Sequence, residues 1–331
     1  MRRERKNTNM KTIFIINPSA GKGHGIDKLK ENIYKAAERL NQNVGIYMTK
    51  KPGDAESFSK TFCQETLGKE EGRLFACGGD GTLNEVINGV IGFQHVSVGL
   101  VPIGTGNDFV RNFQNGEDFY DIMAQLRGEA IACDAVKYWG NIDHKEQTRY
   151  CANMFNIGFD CNVVDMAAKL KNYPLIAGSF AYLMAVAVIL VKKKGAKLRI
   201  WLDEKEVENG AVLLTAIANG GYCGGGVNSS PYASVQDGIL DVNIIYNVSR
   251  IEFLKKFPYY SKGTHMDLKD IDRILLASTC RTAKIVPLEG TMRLCTDGEI
   301  VDAGTVEFQV APGAFHFLVP KKDLSSAVKC I

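Results

Sequence analysis

The first part of the chain alternates short apolar runs with amphipathic stretches. The apolar runs, which are typical of buried strands, lie at residues 11–17, 43–49, 72–79 and 96–104. Between them, apolar residues recur at helical spacing in residues 26–40, 55–67 and 83–91. This alternation predicts a parallel sheet wrapped by helices, because parallel neighbours need long crossover connections.

From about residue 134 the pattern changes to glycine-rich and β-branched segments. Runs such as AVLLTAIANGG, RTAKIVP and TVEFQVAPGAFHFLVP are typical of strands. One helical insertion, at residues 162–194, interrupts them and ends in three consecutive lysines, Lys192, Lys193 and Lys194. The chain of 331 residues is long enough for two cores, so we expect an α/β domain followed by a β-rich domain.

Composition narrows the class of protein without naming a ligand. The 40 Lys and Arg nearly balance the 37 Asp and Glu, which argues against nucleic-acid binding. Nine cysteines lie outside any metal-binding spacing, and no export signal precedes them, so we expect free thiols in a reducing cytosol. The basic residues 1–10 are expected to be a disordered or alternative-start leader. The apolar run at 180–191 is shorter than the roughly 20 residues of a membrane span.

Three glycine-rich loops follow the predicted strands of the first part. The first, NPSAGKG at residues 17–23, precedes a helix, so its backbone N–H groups can face an anion such as phosphate. It lacks the GxxxxGK[ST] pattern, and by itself such a loop is equally well a tight turn. It becomes a candidate site only in combination with the other two glycine-rich loops.

The second loop, GGDGTLNE at residues 78–85, also leads from a strand into a helix. Its glycines permit close approach to phosphate, and the helix N-terminus adds a positive dipole. A carboxylate beside phosphates requires a cation between them, so Asp80 predicts Mg²⁺. The alternative is that Asp80 caps the helix.

The third loop, PIGTGNDF at residues 102–109, follows the next strand and is followed by Arg111. Thr105 and Asn107 offer hydrogen bonds, and Arg111 can screen a phosphate; alternatively Asp108 caps a helix and Arg111 is a solvated side chain. Parallel strands deliver their following loops to the same edge of a sheet. The three loops are therefore expected to converge on one nucleotide.

Two oxygen-rich segments stand out in the second part. Ser234 and Asp237, within PYASVQDGILDV, offer oxygen ligands to a hard cation, although a β-turn explains them equally well. In TDGE, Asp297 and Glu299 place two carboxylates together. A hairpin tip explains that sequence, but phosphoryl transfer also needs a carboxylate to accept a hydroxyl proton.

Taken together and in order, these segments resemble the diacylglycerol kinase catalytic domain family, in particular the soluble bacterial lipid kinases that are similar to sphingosine kinases. The resemblance rests on seven ordered motifs: NPSAGKG, GGDGTLNEVINGV, PIGTGNDF, FNIGFD, ANGGYCGGG, PYASVQDGILDV and TDGE. It implies a Rossmann-like parallel α/β domain at residues 11–134 and a C-terminal β-sandwich domain at 135–311, as in NAD kinase and phosphofructokinase. Residues from about 312 to 331 would return to the first domain.

The resemblance also assigns roles to individual residues. Those that would bind ATP are Asn17, Pro18, Ser19, Ala20, Gly21, Thr49, Gly79, Asp80, Gly81, Thr82, Leu83, Asn84, Glu85 and Thr105. Lys22 and Arg111 would face phosphate or substrate. The carboxylates that would organise the catalytic Mg²⁺ are Asp80, Asp108 and Asp134. A second, structural Mg²⁺ would be held by Ser234, Asp237 and the carbonyl of Ile239. The general base would be Asp297 or Glu299.

The activity implied is ATP- and Mg²⁺-dependent phosphorylation of a lipid hydroxyl, with diacylglycerol converted to phosphatidic acid as the first expectation. Sphingoid bases and other lipid alcohols share the scaffold. NAD kinase, which shares the GGDGT loop, and a nucleotide- or lipid-binding regulator without turnover are the alternatives. We expect a cytoplasmic protein that contacts the inner face of the plasma membrane. The insertion at 162–194 is one hypothesis for that contact, and core packing is the favoured alternative for most of its apolar residues. The resemblance alone suggests a homodimer.

Overall fold

The computed structural model describes residues 10–23, 25–114, 116–159, 161 and 195–321. The predicted helical insertion at 162–194, Asp160 and the side chain of Lys22 lie outside the described part of the chain. Two compact units are present. The first contains the residues up to Gly104, Phe113–Cys133 and those from Ala314 onward, and the second contains Thr105–Asn112 and Asp134–Gly313.

The first unit is the predicted α/β domain. Its strands are β1 (Met10–Ile16), β2 (Val44–Met48), β3 (Glu71–Gly78) and β4 (Val96–Pro102). Its helices are α1 (Ile26–Arg39), α2 (Asp54–Thr66), α3 (Asp80–Val90) and α4 (Ile122–Leu126), with short 3₁₀ turns at Ala20–Gly23 and Gly116–Tyr120. The strand–helix alternation predicted from the apolar pattern is confirmed.

The last residues of β16 (Glu299–Val319) complete the sheet of the first unit. The strand order is β16, β4, β3, β1, β2, and every neighbouring pair is parallel. His316 pairs with Ser97 and Phe317 with Val98 at the β16–β4 junction. The C-terminal part of β16 therefore adds a strand to the four parallel strands that come from the beginning of the chain.

Aromatic rings fill the core of the first unit on both sides of the sheet. Phe14 and Phe75 stack with their ring centroids 4.7 Å apart. Phe317 stacks on Phe113 and Phe119, with centroids 5.1 and 5.9 Å away, and is completely buried. The C-terminal part of β16 is thus held by side-chain packing as well as by backbone pairing.

Long antiparallel strands dominate the second unit. They are β5 (Glu129–Ile142), β6 (Lys145–Cys151), β7 (Met154–Gly158), β8 (Ala196–Leu202), β9 (Lys205–Ala218), β10 (Tyr222–Cys223), β11 (Val227–Asn228), β12 (Leu240–Tyr246), β13 (Leu275–Cys280), β14 (Thr282–Pro287) and β15 (Met292–Thr296), together with most of β16. The β-rich prediction for this part of the chain is confirmed.

The pairing of these strands closes on itself. β9 pairs with β7 and β8, β7 with β15, β15 with β16, β16 with β14, and β14 with β8. The closed path surrounds a core in which the ring of Phe155 meets those of Tyr138 and Phe308 edge-on, at 4.9 Å each. A closed path leaves its six strands without free edges, which suits long β-branched segments.

Helix α5 (Arg250–Lys262) follows β12 and is absent from the sequence prediction. Ser249 begins it, because its Oγ accepts the amide N–H of Glu252 at 3.1 Å, and Gly263 ends it with φ of 74°. Phe253, Phe257 and Tyr260 pack on β9, β12 and β13, where they border an apolar cavity of about 60 Å³. Short 3₁₀ turns at Phe109–Asn112, His265–Asp267 and Ile271–Arg273 complete the unit.

Two further expectations concern the chain as a whole. Eight of the nine cysteines lie in the described residues, and all eight are buried free thiols, as expected. Among the helices that the structure describes, none has the length and apolar character needed to cross a membrane.

Replacing Phe317 with Ala tests the packing of the C-terminal strand on the first unit. Loss of a fully buried ring that stacks on Phe113 and Phe119 is expected to lower the free energy of unfolding by about 3–5 kcal/mol. Urea unfolding followed by far-UV circular dichroism measures this change. Tyr120→Ala removes an exposed ring in the same unit and is expected to shift the midpoint little; equal shifts for both variants would contradict the packing assigned here.

Candidate active site

The three predicted glycine loops of the first unit leave the carboxyl ends of β1, β3 and β4, which lie next to one another in the sheet. The Nδ2 of Asn17, after β1, donates to Oγ1 of Thr82 in α3 at 3.1 Å. The carbonyl of Gly78, at the end of β3, accepts the amide N–H groups of Ile103 and Gly104, each at 3.0 Å. These hydrogen bonds join the three loops into one edge, as the topology predicts.

Close backbone contact between two of these loops explains a glycine. Gly21 has φ of 60°, and a Cβ at this position would lie 2.7 Å from the carbonyl oxygen of Ile103. Any other residue would push the NPSAG loop away from the loop after β4. The Oδ1 of Asn17 accepts the amide of Ser19 at 2.9 Å, while Pro18 and Ser19 themselves are exposed.

Helix α3 begins at this edge, and its N-cap residue, Gly79, has no side chain to cap it. Asp80, which is half-buried, is the first helical residue. The N-cap position therefore belongs to Gly79 and not to Asp80. The amide groups at the start of α3 place the positive end of its dipole at the loop edge.

The other residues of the second loop are buried or half-buried. Leu83 and Thr82 are buried, Leu83 in the core and Thr82 against Asn17. Gly81 and Asn84 are half-buried, and Oδ1 of Asn84 accepts Nδ2 of Asn88 at 3.1 Å. Side chains thus secure the start of α3 on several sides.

Glu85 and Thr49 both have structural contacts in the first unit. The carboxylate of Glu85 accepts the amide N–H groups of Gly53 at 2.9 Å and Ala55 at 3.1 Å, and so caps the start of α2, whose N-cap residue is the glycine Gly53. Glu85 therefore supplies the negative charge that the α2 dipole favours. Thr49 lies at the same edge of the sheet as the glycine loops, where its amide donates to the carbonyl of Ile16 at 2.9 Å.

The continuation of the third loop, Thr105–Asn112, belongs to the second unit. Thr105 is exposed, whereas Asp108 is buried and its Oδ2 accepts the amide of Gly225 at 2.9 Å. The guanidinium of Arg111 lies 3.6 Å from Oδ1 of Asp108. Asp108 thus joins this segment to the Gly224–Gly226 turn and holds Arg111 beside it.

Three asparagines that sequence reasoning did not single out organise the same region. Asn112 donates to Oδ1 of Asn153 at 3.1 Å and accepts the amide of Gly221 at 2.8 Å. Asn153 donates to the carbonyl of Tyr222 at 2.6 Å, and Asn219 donates to the carbonyls of Ala152 and Asp134 at 2.7 and 3.0 Å.

Gly220 fits closely into this group of asparagines. A Cβ on Gly220 would lie 2.2 Å from Oδ1 of Asn153 and 2.6 Å from Nδ2 of Asn112. A glycine is therefore required in the ANGG motif. Buried side-chain amides within glycine-rich segments are the sequence signal for such a network, because they need fixed hydrogen-bond partners.

Asp134 is 3% exposed and acts within the second unit as an acceptor for backbone groups. Its Oδ2 accepts the amide of Gly238 at 2.7 Å and its Oδ1 accepts that of Gly313 at 2.8 Å. Its own amide donates to the carbonyl of Val235 at 2.7 Å. These bonds fix the PYASVQDG segment, in which Ser234 and Asp237 were predicted to bind a cation.

The predicted structural cation segment contains a second carboxylate that sequence reasoning missed. Oδ1 of Asp237 accepts the amide of Ile239 at 3.1 Å, so the segment forms a local turn. Burial raises the pKa of Asp241, on β12, to about 6, and the negative charge of Asp237 contributes to the rise. A cation beside these two carboxylates would relieve both the burial of charge and the repulsion.

No preformed metal cluster accompanies these carboxylates. In the described ranges, no group of three or more His, Cys, Asp or Glu side chains is arranged to hold a metal ion. Any cation in the second unit would therefore take carbonyl, hydroxyl or water oxygens as well. An open hollow of about 490 Å³ adjoins Asp237 and is lined by Asp134, Gln236, Asp237, Gly238, Arg281, Gln309, Val310 and Pro312.

The TDGE element is the hairpin turn between β15 and β16. Asp297 has φ of 46° and Gly298 has φ of 92°, as a two-residue turn requires. The carboxylate of Asp297 accepts the amides of Met154 at 3.1 Å and Ala152 at 3.3 Å. Glu299 begins β16 and is exposed. The two carboxylates of the motif therefore occupy different surroundings.

Two family models match consecutive parts of the chain. The diacylglycerol kinase catalytic domain model matches residues 11–138, and the YegS C-terminal NAD kinase beta sandwich-like domain model matches residues 153–319. A diacylglycerol kinase of Mycobacterium tuberculosis is 26% identical over 94% of this chain and 96% of its own length. One of Bacillus subtilis is 25% identical over 93% and 96% of the two chains.

Solved structures share the fold. The crystal structure of a diacylglycerol kinase from Bacillus anthracis superposes with a TM-score of 0.65 at 20% identity, covering 95% of this chain and 98% of that one. At that level of identity the match establishes the architecture.

Asp241→Asn tests the carboxylate pair in the second unit. Because the folded-state pKa of Asp241 lies above that of the unfolded chain, ionisation destabilises the fold as pH rises through about 6. In the presence of EDTA, the stability of the wild type relative to Asp241→Asn is expected to fall between about pH 4 and pH 6, that is, from the ordinary carboxyl pKa to the raised one. Thermal unfolding over that range measures it, with the exposed Asp272→Asn as control. A difference independent of pH would contradict the assignment.

Proposed function

The chain belongs to the diacylglycerol kinase catalytic domain family, and we propose that it is an ATP- and Mg²⁺-dependent kinase that phosphorylates the hydroxyl of a membrane lipid. The observation that carries this proposal is the junction of three glycine loops with the N-terminus of helix α3, whose N-cap residue is a glycine, at the carboxyl edge of the first unit's sheet. Among lipid alcohols, diacylglycerol is the substrate we propose, since relatives along nearly the whole chain bear that activity in their names.

At the nucleotide end, backbone groups do most of the binding. The amides of the NPSAG loop and of the first turn of α3 supply donors to phosphate oxygens, supported by the helix dipole. Asn17 acts indirectly, because its side chain is engaged by Thr82 and by the amide of Ser19. Glu85 is likewise a positioning residue, since its carboxylate holds the start of α2.

The carboxylates also fit the proposed Mg²⁺. Asp80, in the first turn of α3, is the one acidic residue there, and a carboxylate beside phosphates is favourable only with a cation between them. Mg²⁺, when bound, would neutralise charge on the transferring phosphoryl group. Asp108 and Asp134 contribute through the backbone segments that they hold. In the second unit, Asp237 and Ser234 with the carbonyl of Ile239 would form the structural site, near Asp241.

Within TDGE, the hydrogen bonds favour different roles for the two carboxylates. Asp297 holds the turn between β6 and β7 through two amides, so its oxygens are already engaged as acceptors. Glu299 is exposed on the adjoining strand and is the better candidate to accept the proton of the lipid hydroxyl. We therefore assign Glu299 as general base and Asp297 as a positioning residue.

The remaining expectations follow from the choice of substrate. A diacylglycerol molecule resides in a bilayer, so a kinase that acts on it must reach it at the membrane surface. Peripheral contact with the inner face of the plasma membrane, and a cytoplasmic location, belong to this proposal, as does a homodimer.

The first experiment incubates the protein with γ-labelled ATP, Mg²⁺ and detergent-dispersed lipids, with NAD⁺ in a parallel reaction. Label is expected on diacylglycerol and to be lost without Mg²⁺. Asp80→Ala is expected to lower turnover at least a hundredfold, because phosphate charge is then uncompensated. Asp27→Ala removes an exposed carboxylate of the same unit and is expected to retain activity.

Different products would change the proposal. Label found only on sphingosine or only on monoacylglycerol would identify that lipid as the substrate in place of diacylglycerol, with the reaction unchanged. Label on NAD⁺ alone would make the protein an NAD kinase, and binding of ATP without transfer to any acceptor would support a regulator.

Glu299→Gln and Asp297→Asn separate the two carboxylates of the hairpin. Glu299→Gln is expected to lower kcat about 10²–10⁴-fold with an unchanged unfolding midpoint, as loss of a general base does. Asp297→Asn keeps the shape of the side chain but weakens its two charge-assisted hydrogen bonds from backbone amides. It is therefore expected to lower the free energy of unfolding by about 1–3 kcal/mol and to lower activity as well. Steady-state kinetics and urea unfolding are the measurements, with exposed Glu289→Gln as control. A loss of kcat confined to Asp297→Asn would reverse the assignment.

A further inference from the structure

The solvent-facing side of α5 carries large apolar side chains at helical spacing. Ile251, Leu254 and Pro258 stand at positions i, i+3 and i+7, which lie on one face of a helix. Ile251 is 68% exposed and Leu254 is 55% exposed. Tyr259, at the border of this face, is 47% exposed. Single exposed apolar residues are ordinary on soluble proteins, but a contiguous apolar stripe marks a binding surface.

The opposite side of the same helix is already covered by the protein. Phe253, Phe257 and Tyr260 pack on the sheet of the second unit. A helix with a single apolar face needs one partner, whereas α5 is apolar on two opposite sides and is covered on only one within the described chain. Burial of this outer stripe in a second apolar environment would therefore be favourable.

Charges on α5 indicate what kind of environment that is. The helix carries Arg250, Lys255, Lys256 and Lys262 against one acidic residue, Glu252. Glu252 is paired with Arg273 at 2.7 Å, so it offsets little of this positive charge.

Lys255 and Lys262 stand at i+4 and i+11 from Ile251, which places both on the apolar outer face. The carboxylates of Asp267, Asp270 and Asp272 follow in the next connection, beyond the end of the helix.

We propose that α5 is a membrane-docking helix, whose outer face of Ile251, Leu254, Pro258 and Tyr259 enters the interface of an anionic bilayer. Apolar side chains enter the boundary between headgroups and acyl chains, and lysine stems reach back to lipid phosphates. Lysines in the middle of the face disfavour a second copy of this chain, because a two-fold contact would bring like charges together. The inference rests on the proposed function only for its purpose, which is access to a lipid substrate.

Vesicle sedimentation of the full chain tests the docking helix directly. The double variant Ile251→Glu/Leu254→Glu is compared with wild type on vesicles of phosphatidylcholine and phosphatidylglycerol. We expect at least tenfold weaker binding, because each change replaces a membrane-buried side chain with a charge. Leu288→Glu/Leu67→Glu changes two other exposed leucines and is expected to bind as wild type.

A second pair of measurements tests the charges. Lys255→Ala/Lys262→Ala is expected to weaken binding several-fold on anionic vesicles and to have little effect on phosphatidylcholine alone. High salt is expected to remove the difference between wild type and this variant.

Three results would overturn the inference: equal vesicle binding by wild type and the Ile251→Glu/Leu254→Glu variant, equal loss in the leucine control, or a wild-type dimer that this variant splits without loss of vesicle binding. Kinase activity on detergent-dispersed lipid is measured alongside. Activity retained without vesicle binding in the double variant supports docking by α5 separately from catalysis. Vesicle binding that depends on α5 in a protein without kinase activity would instead uphold the docking surface and refute the proposed function.

Discussion

The hydrogen-bond network around Asn112, Asn153 and Asn219 is the constraint on which the second unit's part of the candidate site depends. It ties the segment after the third glycine loop to the ANGG segment and to the turn between β6 and β7. Asp297 holds that same turn from the hairpin between β15 and β16. Segments far apart in sequence are thus fixed by buried amides, whose hydrogen bonds are costly to leave unmade.

Several carboxylates whose motifs suggest a role in the site also make structural contacts. Glu85 supplies a charge to the start of α2, Asp134 accepts two backbone amides, and Asp297 accepts two more. A site that transfers a phosphoryl group needs its reacting groups held in a narrow range of geometry. Carboxylates that fix backbone loops provide such positioning, and they leave fewer acidic side chains to bind metal or accept a proton.

The sequence by itself determined the features that arise from local patterns. Apolar periodicity identified the strands and helices of the α/β unit, because the spacing of buried residues follows the geometry of each element. Glycine loops after consecutive strands indicated one common edge, because all strands of a parallel sheet point the same way. Helix α5 has a local signal that the sequence prediction missed: Ser249 caps it by accepting the amide N–H of Glu252, and apolar residues follow at 253, 257 and 260. Proline inside it and the strand-rich surroundings obscured the signal.

Only the tertiary structure decided which partner each polar side chain has. In the sequence, Asp80, Asp297 and Glu299 are all carboxylates beside a glycine. In the structure, Asp80 lies in the first turn of a helix, Asp297 accepts two backbone amides, and Glu299 is exposed. The closed path of six strands depends likewise on contacts between distant residues. So does the burial that raises the pKa of Asp241 beside the like charge of Asp237. Local sequence sets the periodicity of burial, whereas the environment of a charge depends on residues that folding brings beside it.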